Sequence, residues 1–259
     1  MQTLILAAGQ GTRLRPYTND RPKCMVELAG KPLLHRQLAA MARCGVESDI
    51  TVIGGYRASD LDAPGSDIVI NPRFDQTNMV LTLFAARDRM LDGEDLLISY
   101  GDIVYEPRVL QAVLDCDAPV CLAADRAWRR LWKLRMDEPL DDAETFRMDD
   151  MGQVTELGKK PESYDQVQAQ YMGLVKIRGD QVAAFKAFFD GLDREARYDG
   201  KDFDNMYMTS LVQGLIDAGW PVQACLVDNG WLEVDTAEEL EAYEAMAASG
   251  KLDTYCLLD

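Results

Sequence analysis

A short apolar run near the start of the chain, Leu4-Ile5-Leu6, passes without a break into Ala7, Ala8, Gly9 and Gly11. The run reads as a buried strand, and the small residues at its end let the backbone come close to something bulky. A loop with so few side chains can aim its N–H groups at phosphate oxygens, and Arg13 and Lys23 bring fixed positive charge to the same place. That is the chemistry of a triphosphate grip at the end of a buried strand. Gly9-x-Gly11 alone also fits a plain strand-to-loop turn. The string is not a Walker loop, since no Gly-Lys-Ser/Thr follows, and not a dinucleotide fingerprint, since the third glycine and a helix directly after it are missing.

Beyond this loop the chain alternates between two periods. Residues 33–43 carry apolar side chains at helical spacing, and residues 49–53 and 67–70 read as strands, a parallel-sheet rhythm. A helix is expected over 78–91 with Asn78 at its start. Residues 95–99 form the next buried strand and deliver Gly101 and Asp102 at its carboxyl end. In open α/β sheets ligands bind at that end, so Asp102 is placed like a metal ligand; the competing role is to cap a helix that begins near Pro107. Strands are expected over 120–124, 145–148, 154–157, 170–176 and 222–227, and helices over 109–114, 182–189 and 205–218. A last strand, 231–234, is expected to close the sheet and ends in Asp235, and Thr236 and Glu239 form a capping box for a terminal helix. Asp102 and Asp235 are thus two strand-end carboxylates that a parallel-type sheet can bring to one edge.

No linker or charge run divides the 259 residues, so one domain over 1–259 is expected. A net charge of −17 argues against a nucleic-acid partner, which needs a basic face. Against that background, residues 1–36 hold six Lys/Arg and only Asp20 and Glu27, and Arg126, Arg129, Arg130, Lys133 and Arg135 form a second basic knot. Two positive islands suit an anionic substrate held at two points, although either alone fits a solvated face. The aliphatic runs are too short for a bilayer and no signal segment precedes them, so a soluble, cytoplasmic protein without a membrane partner is expected. The six cysteines are scattered without a CxxC pair and read as buried free thiols; His35 reads as a helix-packing residue.

With these residues in hand, the chain resembles the sugar-nucleotide-type nucleotidyltransferase superfamily over nearly its full length, and within it the bacterial cytidylyltransferases acting on phosphocholine and phosphoglutamine. The strings that carry the resemblance are Leu6-Ala-Ala-Gly-x-Gly-Thr-Arg13, Arg21-Pro-Lys-Cys24, Thr77-Asn-Met79, Ile98-Ser-Tyr-Gly-Asp-Ile-Val-Tyr105, Glu156-Leu-Gly-Lys-Lys160, Gln170-Tyr-Met-Gly173 and Gly230-Trp-Leu-Glu-Val-Asp235. The resemblance implies a three-layer α/β/α, Rossmann-like fold with a mixed, mostly parallel sheet. It implies Mg²⁺ as cofactor and CTP and a small phosphorylated acceptor as partners; oligomeric state is left open. Carried over by position, Ala7, Ala8, Gly9, Thr77, Asn78 and Gly101 would face the nucleotide, Gly11, Thr12, Arg13 and Lys23 its phosphates, and Asp102 and Asp235 the metal. Lys160, or Lys159 in its place, would grip the acceptor phosphate.

The acceptor half leaves two readings. Trp128, Trp132, Tyr171 and Trp231 with Asp142 and Glu144 would cage a quaternary ammonium, unless the pair Trp128 and Trp132 is core. Arg129 and Arg135 would instead hold an acceptor carboxylate, which favours phosphoglutamine. The rival classes are a sugar-1-phosphate nucleotidyltransferase using UTP or dTTP, and a nucleotide-binding regulatory module without turnover.

Overall fold

The computed structural model describes residues 1–258. Seven strands form the central sheet: β1 (Gln2–Ala7), β2 (Ile50–Gly54), β3 (Asp67–Ile70), β4 (Leu96–Tyr100), β5 (Val120–Asp125), β6 (Gln170–Ile177) and β7 (Val222–Val227). Their order is β7-β5-β6-β4-β1-β2-β3, and every neighbouring pair is parallel except those made by β6, which runs against both β4 and β5. The mixed, mostly parallel sheet is the one expected.

Seven helices cover its faces: α1 (Leu33–Arg43), α2 (Met79–Ala85), α3 (Pro107–Leu114), α4 (Trp128–Arg135), α5 (Val182–Asp190), α6 (Met208–Asp217) and α7 (Ala237–Ala248). The alternation of side chains along each strand divides the core in two. Ile5, Leu97 and Ala123 pack with α1, α3, α4 and α7, while Leu4, Leu6, Ile98 and Leu122 pack with α2, α5 and α6. Leu4, Ile5, Leu97 and Ile98 are fully buried, each worth about 1.5–3 kcal/mol.

Two elements differ from the sequence reading. The helix expected over 78–91 stops at Ala85 and continues as a separate 3₁₀ turn, Arg87–Arg89. Arg87 and Arg89 are drawn outward to Asp190 and Asp67, and Leu91 is held by Gln2, which gives the segment a better set of partners than a continued helix. The strand expected to close the sheet at 231–234 does not enter it. Trp231–Glu233 pairs antiparallel with Ile103–Tyr105 in a separate ribbon.

Candidate active site

Between β1 and β4 the chain direction of the sheet switches: from β1 it proceeds outward through β2 and β3, then returns to place β4 on the other side of β1. Crevices at the carboxyl ends of strands form at such points. Here the crevice is a cavity of about 170 Å³ walled by Ala7, Ala8 and Gly9 from the end of β1, Gly101 and Asp102 from the end of β4, and Thr77 and Asn78 ahead of α2. Gly101 is required by contact: its N–H donates to the Leu6 carbonyl at 2.9 Å, and a Cβ there would collide with Leu6 and Ala7. Asn78 caps α2 by accepting from the Met79 N–H at 2.8 Å, and the Thr77 hydroxyl donates to the Arg73 carbonyl. Gly11, with φ of 57°, turns the chain into the one-turn helix Thr12–Leu14, whose Arg13 is 68% exposed and reaches Asp235. Thr12 is exposed and, like Gly11, is not a wall of this cavity.

The small ribbon brings the two distant carboxylates together. Ile103 follows Asp102 directly and pairs with Glu233, so the Val234 N–H donates to the Asp102 carbonyl at 3.0 Å and Asp235 falls beside it. Lys23 Nζ joins them, 2.7 Å from Asp102 Oδ2 and 2.8 Å from Asp235 Oδ1. Burial works against the Lys23 charge, but Asp102, Asp235 and Glu233 overcome it and hold its pKa above the usual lysine value. Burial likewise opposes ionisation of Asp235, and Lys23 and Arg13 outweigh it, so this carboxyl lies below its usual range. Asp102 does not cap α3, whose N-cap is Glu106.

On the far side of this cluster lies a second cavity, about 210 Å³, bordered by Arg13, Asp235, Glu233, Arg135, Asp142 and Glu144 together with the aromatic side chains of Tyr100, Trp132, Tyr171, Tyr207 and Trp231. β6 opens it: the register with β5 shifts between Tyr171 and Val175, with Gly173 at φ 79° and the Tyr100 ring where a Cβ would stand. Burial, then Asp142, Glu233 and Asp199, push the Glu144 carboxyl up to about 7.

Several expected acceptor residues lie elsewhere. Trp128 is 2% exposed, donates to the Val167 carbonyl and is core, whereas Trp132 does face the cavity and donates to Asp142 Oδ2 at 3.1 Å. Arg129 stacks on Tyr164, 3.6 Å from the ring centre, and lines neither cavity. Lys159 Nζ sits 3.2 Å from Glu156, and Lys160 Nζ donates to the carbonyls of Leu140 and Asp141, so neither lysine reaches the cavity walls. Glu233, given no role in the sequence reading, lies two residues before Asp235, and the alternation of a strand would place both on one face.

Arg135 borders the cavity but is committed to the protein. It is 3% exposed, with Nη1 2.8 Å from Glu233 and Nε 2.7 Å from Glu239. Glu239 in turn accepts from the backbone N–H groups of Asp235 and Thr236, the second being its half of the capping box. Arg135 thus positions Asp235 through Glu239. Arg135→Ala leaves the buried Glu239 and the half-buried Glu233 without their cation and is expected to cost about 3 kcal/mol, the low end for breaking a buried pair, read as a lower urea midpoint at unchanged slope.

A buried strand ending in small residues, a lysine between two carboxylates and a cavity on either side make up the candidate active site. The chain belongs to the family of the MobA-like NTP transferase domain, which matches residues 3–171. It is 41% identical, over 93% of its length and 98% of the relative's, to the CTP:phosphoglutamine cytidylyltransferase of Campylobacter jejuni. Among solved structures it is similar to the inositol-1-phosphate CTP transferase of T. maritima (TM-score 0.71, 19% identity, 99% of this chain and 97% of the other). It is also similar to the CTP:phosphocholine cytidylyltransferase of Streptococcus pneumoniae (TM-score 0.66, 17% identity, 95% and 98%). These two likenesses concern the fold. Among the described residues no helix is long and apolar enough to cross a membrane.

Proposed function

We propose that the chain is a cytidylyltransferase that transfers CMP from CTP to a small phosphorylated acceptor bearing an ammonium group, with an amino-acid phosphate such as phosphoglutamine favoured over phosphocholine. The observation that carries this reading is the junction of the two cavities at Lys23, Asp102 and Asp235. The smaller cavity takes the nucleoside, with Ala7, Ala8, Gly9, Thr77, Asn78 and Gly101 around it. The acidic, aromatic one takes the acceptor, so that the two phosphates meet at the junction. The relative from C. jejuni supports CTP and the phosphoglutamine-like acceptor.

In the reaction an acceptor phosphate oxygen attacks the α-phosphorus of CTP in line, a P–O bond forms, and the bond to pyrophosphate breaks. A phosphate dianion needs no side-chain base, so the protein contributes position and charge. Lys23 and Arg13 meet the charge that grows on the leaving pyrophosphate. Asp102 and Asp235 fit a divalent cation: Asp102 Oδ1 is buried and accepts no hydrogen bond, a costly state that a bound cation relieves. Mg²⁺ held by Asp102 and Asp235 would supply neutralisation of the phosphate charge.

Glu144 and Asp142 face the acceptor ammonium, with Trp132, Tyr100 and Tyr171 around it. Arg129 has no part in this, and Arg135 acts through its carboxylate partners. The test is pyrophosphate release from CTP, UTP and dTTP with phosphoglutamine, phosphocholine and glucose 1-phosphate. Turnover with CTP and an amino-bearing acceptor is expected; preference for UTP or dTTP with the sugar phosphate overturns the reading, and no turnover with any pair favours a binding module.

Glu144 must be ionised to hold the ammonium, so the acceptor KM is expected to rise as pH falls below about 7, the value to which its carboxyl is pushed. Glu144→Gln removes a charged hydrogen bond and should raise that KM about 10-fold or more without changing the KM for CTP. The same variant should flatten this part of the pH profile. An unchanged profile assigns the dependence to another group.

A further inference from the structure

Three of the six cysteines meet. Cys116 follows α3, Cys121 lies on β5 and Cys225 on β7, and their sulfur atoms all lie within 4.8 Å of one another. The register explains it: Gln223 pairs with Cys121 and Cys225 with Ala123, so Cys121 and Cys225 are diagonal neighbours on one face of the sheet, the face against which α3 packs. Cys121 and Cys225 are buried, Cys116 is half-buried, and all three are free thiols. Lys176, opposite Cys121 on β6, is itself buried, and its ammonium donates to the carbonyls of Leu114 and Cys116. None of the three borders either substrate cavity.

We propose that Cys116, Cys121 and Cys225 form a three-thiolate site for a soft divalent cation of the zinc group, separate from the catalytic cluster. A metal–sulfur distance of about 2.3 Å puts three thiolates around one ion roughly 4 Å apart, a spacing these sulfurs meet with small side-chain shifts. Sulfur ligands without a carboxylate or imidazole select such cations over Mg²⁺. Three thiolates and a divalent ion sum to −1, which the fixed ammonium of Lys176 offsets. The half-buried Cys116 gives the ion a route from solvent, and each thiol that binds passes its proton to water. The bound ion would tie the end of α3 to β5 and β7.

The test uses the whole, reduced, chelator-treated protein titrated with Cd²⁺ alone, without nucleotide. The sulfur-to-cadmium ultraviolet band is expected to saturate at one ion per chain, with proton release and a raised unfolding temperature. Cys225→Ser and Cys116→Ser should each weaken binding by more than the about 100-fold that loss of an outer-shell partner can cost. Cys116→Ser, in a half-exposed loop, keeps the test valid if Cys225→Ser fails to fold. Cys44→Ser should leave the titration unchanged. No band in the native protein, or an undiminished one in Cys116→Ser, overturns the site.

Discussion

Asp102→Asn is expected to lower kcat/KM by more than the about 10²- to 10³-fold that loss of one transition-state hydrogen-bond donor costs, because it removes a formal charge where two phosphates must meet. Asp235→Asn should do the same. Both side chains reach their places through the ribbon, whose backbone pairing the change leaves alone, so the folded protein should persist. Rates are to be measured across Mg²⁺ and Mn²⁺ concentrations. A near-native rate at saturating Mg²⁺ in either variant removes that carboxylate from the metal site, whereas partial recovery with Mn²⁺ supports it.

Lys23→Ala is expected to cost about 10²- to 10³-fold in kcat, the scale of a preorganised group facing charge that develops on the leaving pyrophosphate. The structure adds a second, opposite effect. Lys23 spans Asp102 and Asp235 in the free protein, so deleting it leaves two adjacent carboxylates without their shared cation. The Mg²⁺ concentration for half-maximal rate should therefore fall while kcat collapses. A loss confined to the KM for CTP would make Lys23 a ground-state binder. Arg13, paired with the same Asp235 but mostly exposed and screened, is expected to matter less.

Local signals carried the half of the site proposed for the nucleotide. A central strand with both faces buried reads as a nearly continuous apolar run, so Leu4 to Leu6 announced β1, although Gln2 and Thr3 are buried in it too, and the small residues after it announced the cavity. The capping box at Thr236 and Glu239 was visible because its four residues are contiguous. Even the meeting of Asp102 and Asp235 could be read, since both end strands, although the ribbon that joins them was taken for part of the sheet. The acceptor side was less legible because its charges are spent on distant partners. Arg135 looks like a substrate clamp until Glu233 and Glu239, about a hundred residues on, are seen to hold it. Lys160 is turned onto backbone carbonyls, which no spacing reveals. The cysteine cluster depends on the register between β5 and β7, fixed only when the sheet forms.

The antiparallel setting of β6 has a consequence for how such a chain can change its substrate. Residues 126–169 leave the sheet at Asp125 and return at Gln170, and those two residues are direct partners across the strands. The excursion therefore starts and finishes at one point, like an oversized hairpin loop. It supplies Trp132, Arg135, Asp142 and Glu144 to the cavity proposed for the acceptor and nothing to the one proposed for the nucleotide. The segment is also tied into the core by Trp128, Leu131, Phe146 and Leu157 and holds Glu233 and Glu239 through Arg135, so an exchange has to keep those contacts while it varies the rest. If the second cavity takes the acceptor as proposed, grafting residues 126–169 from a relative of different specificity, with the buried Trp128 and Arg135 retained, is expected to move acceptor choice while leaving the KM for CTP unchanged.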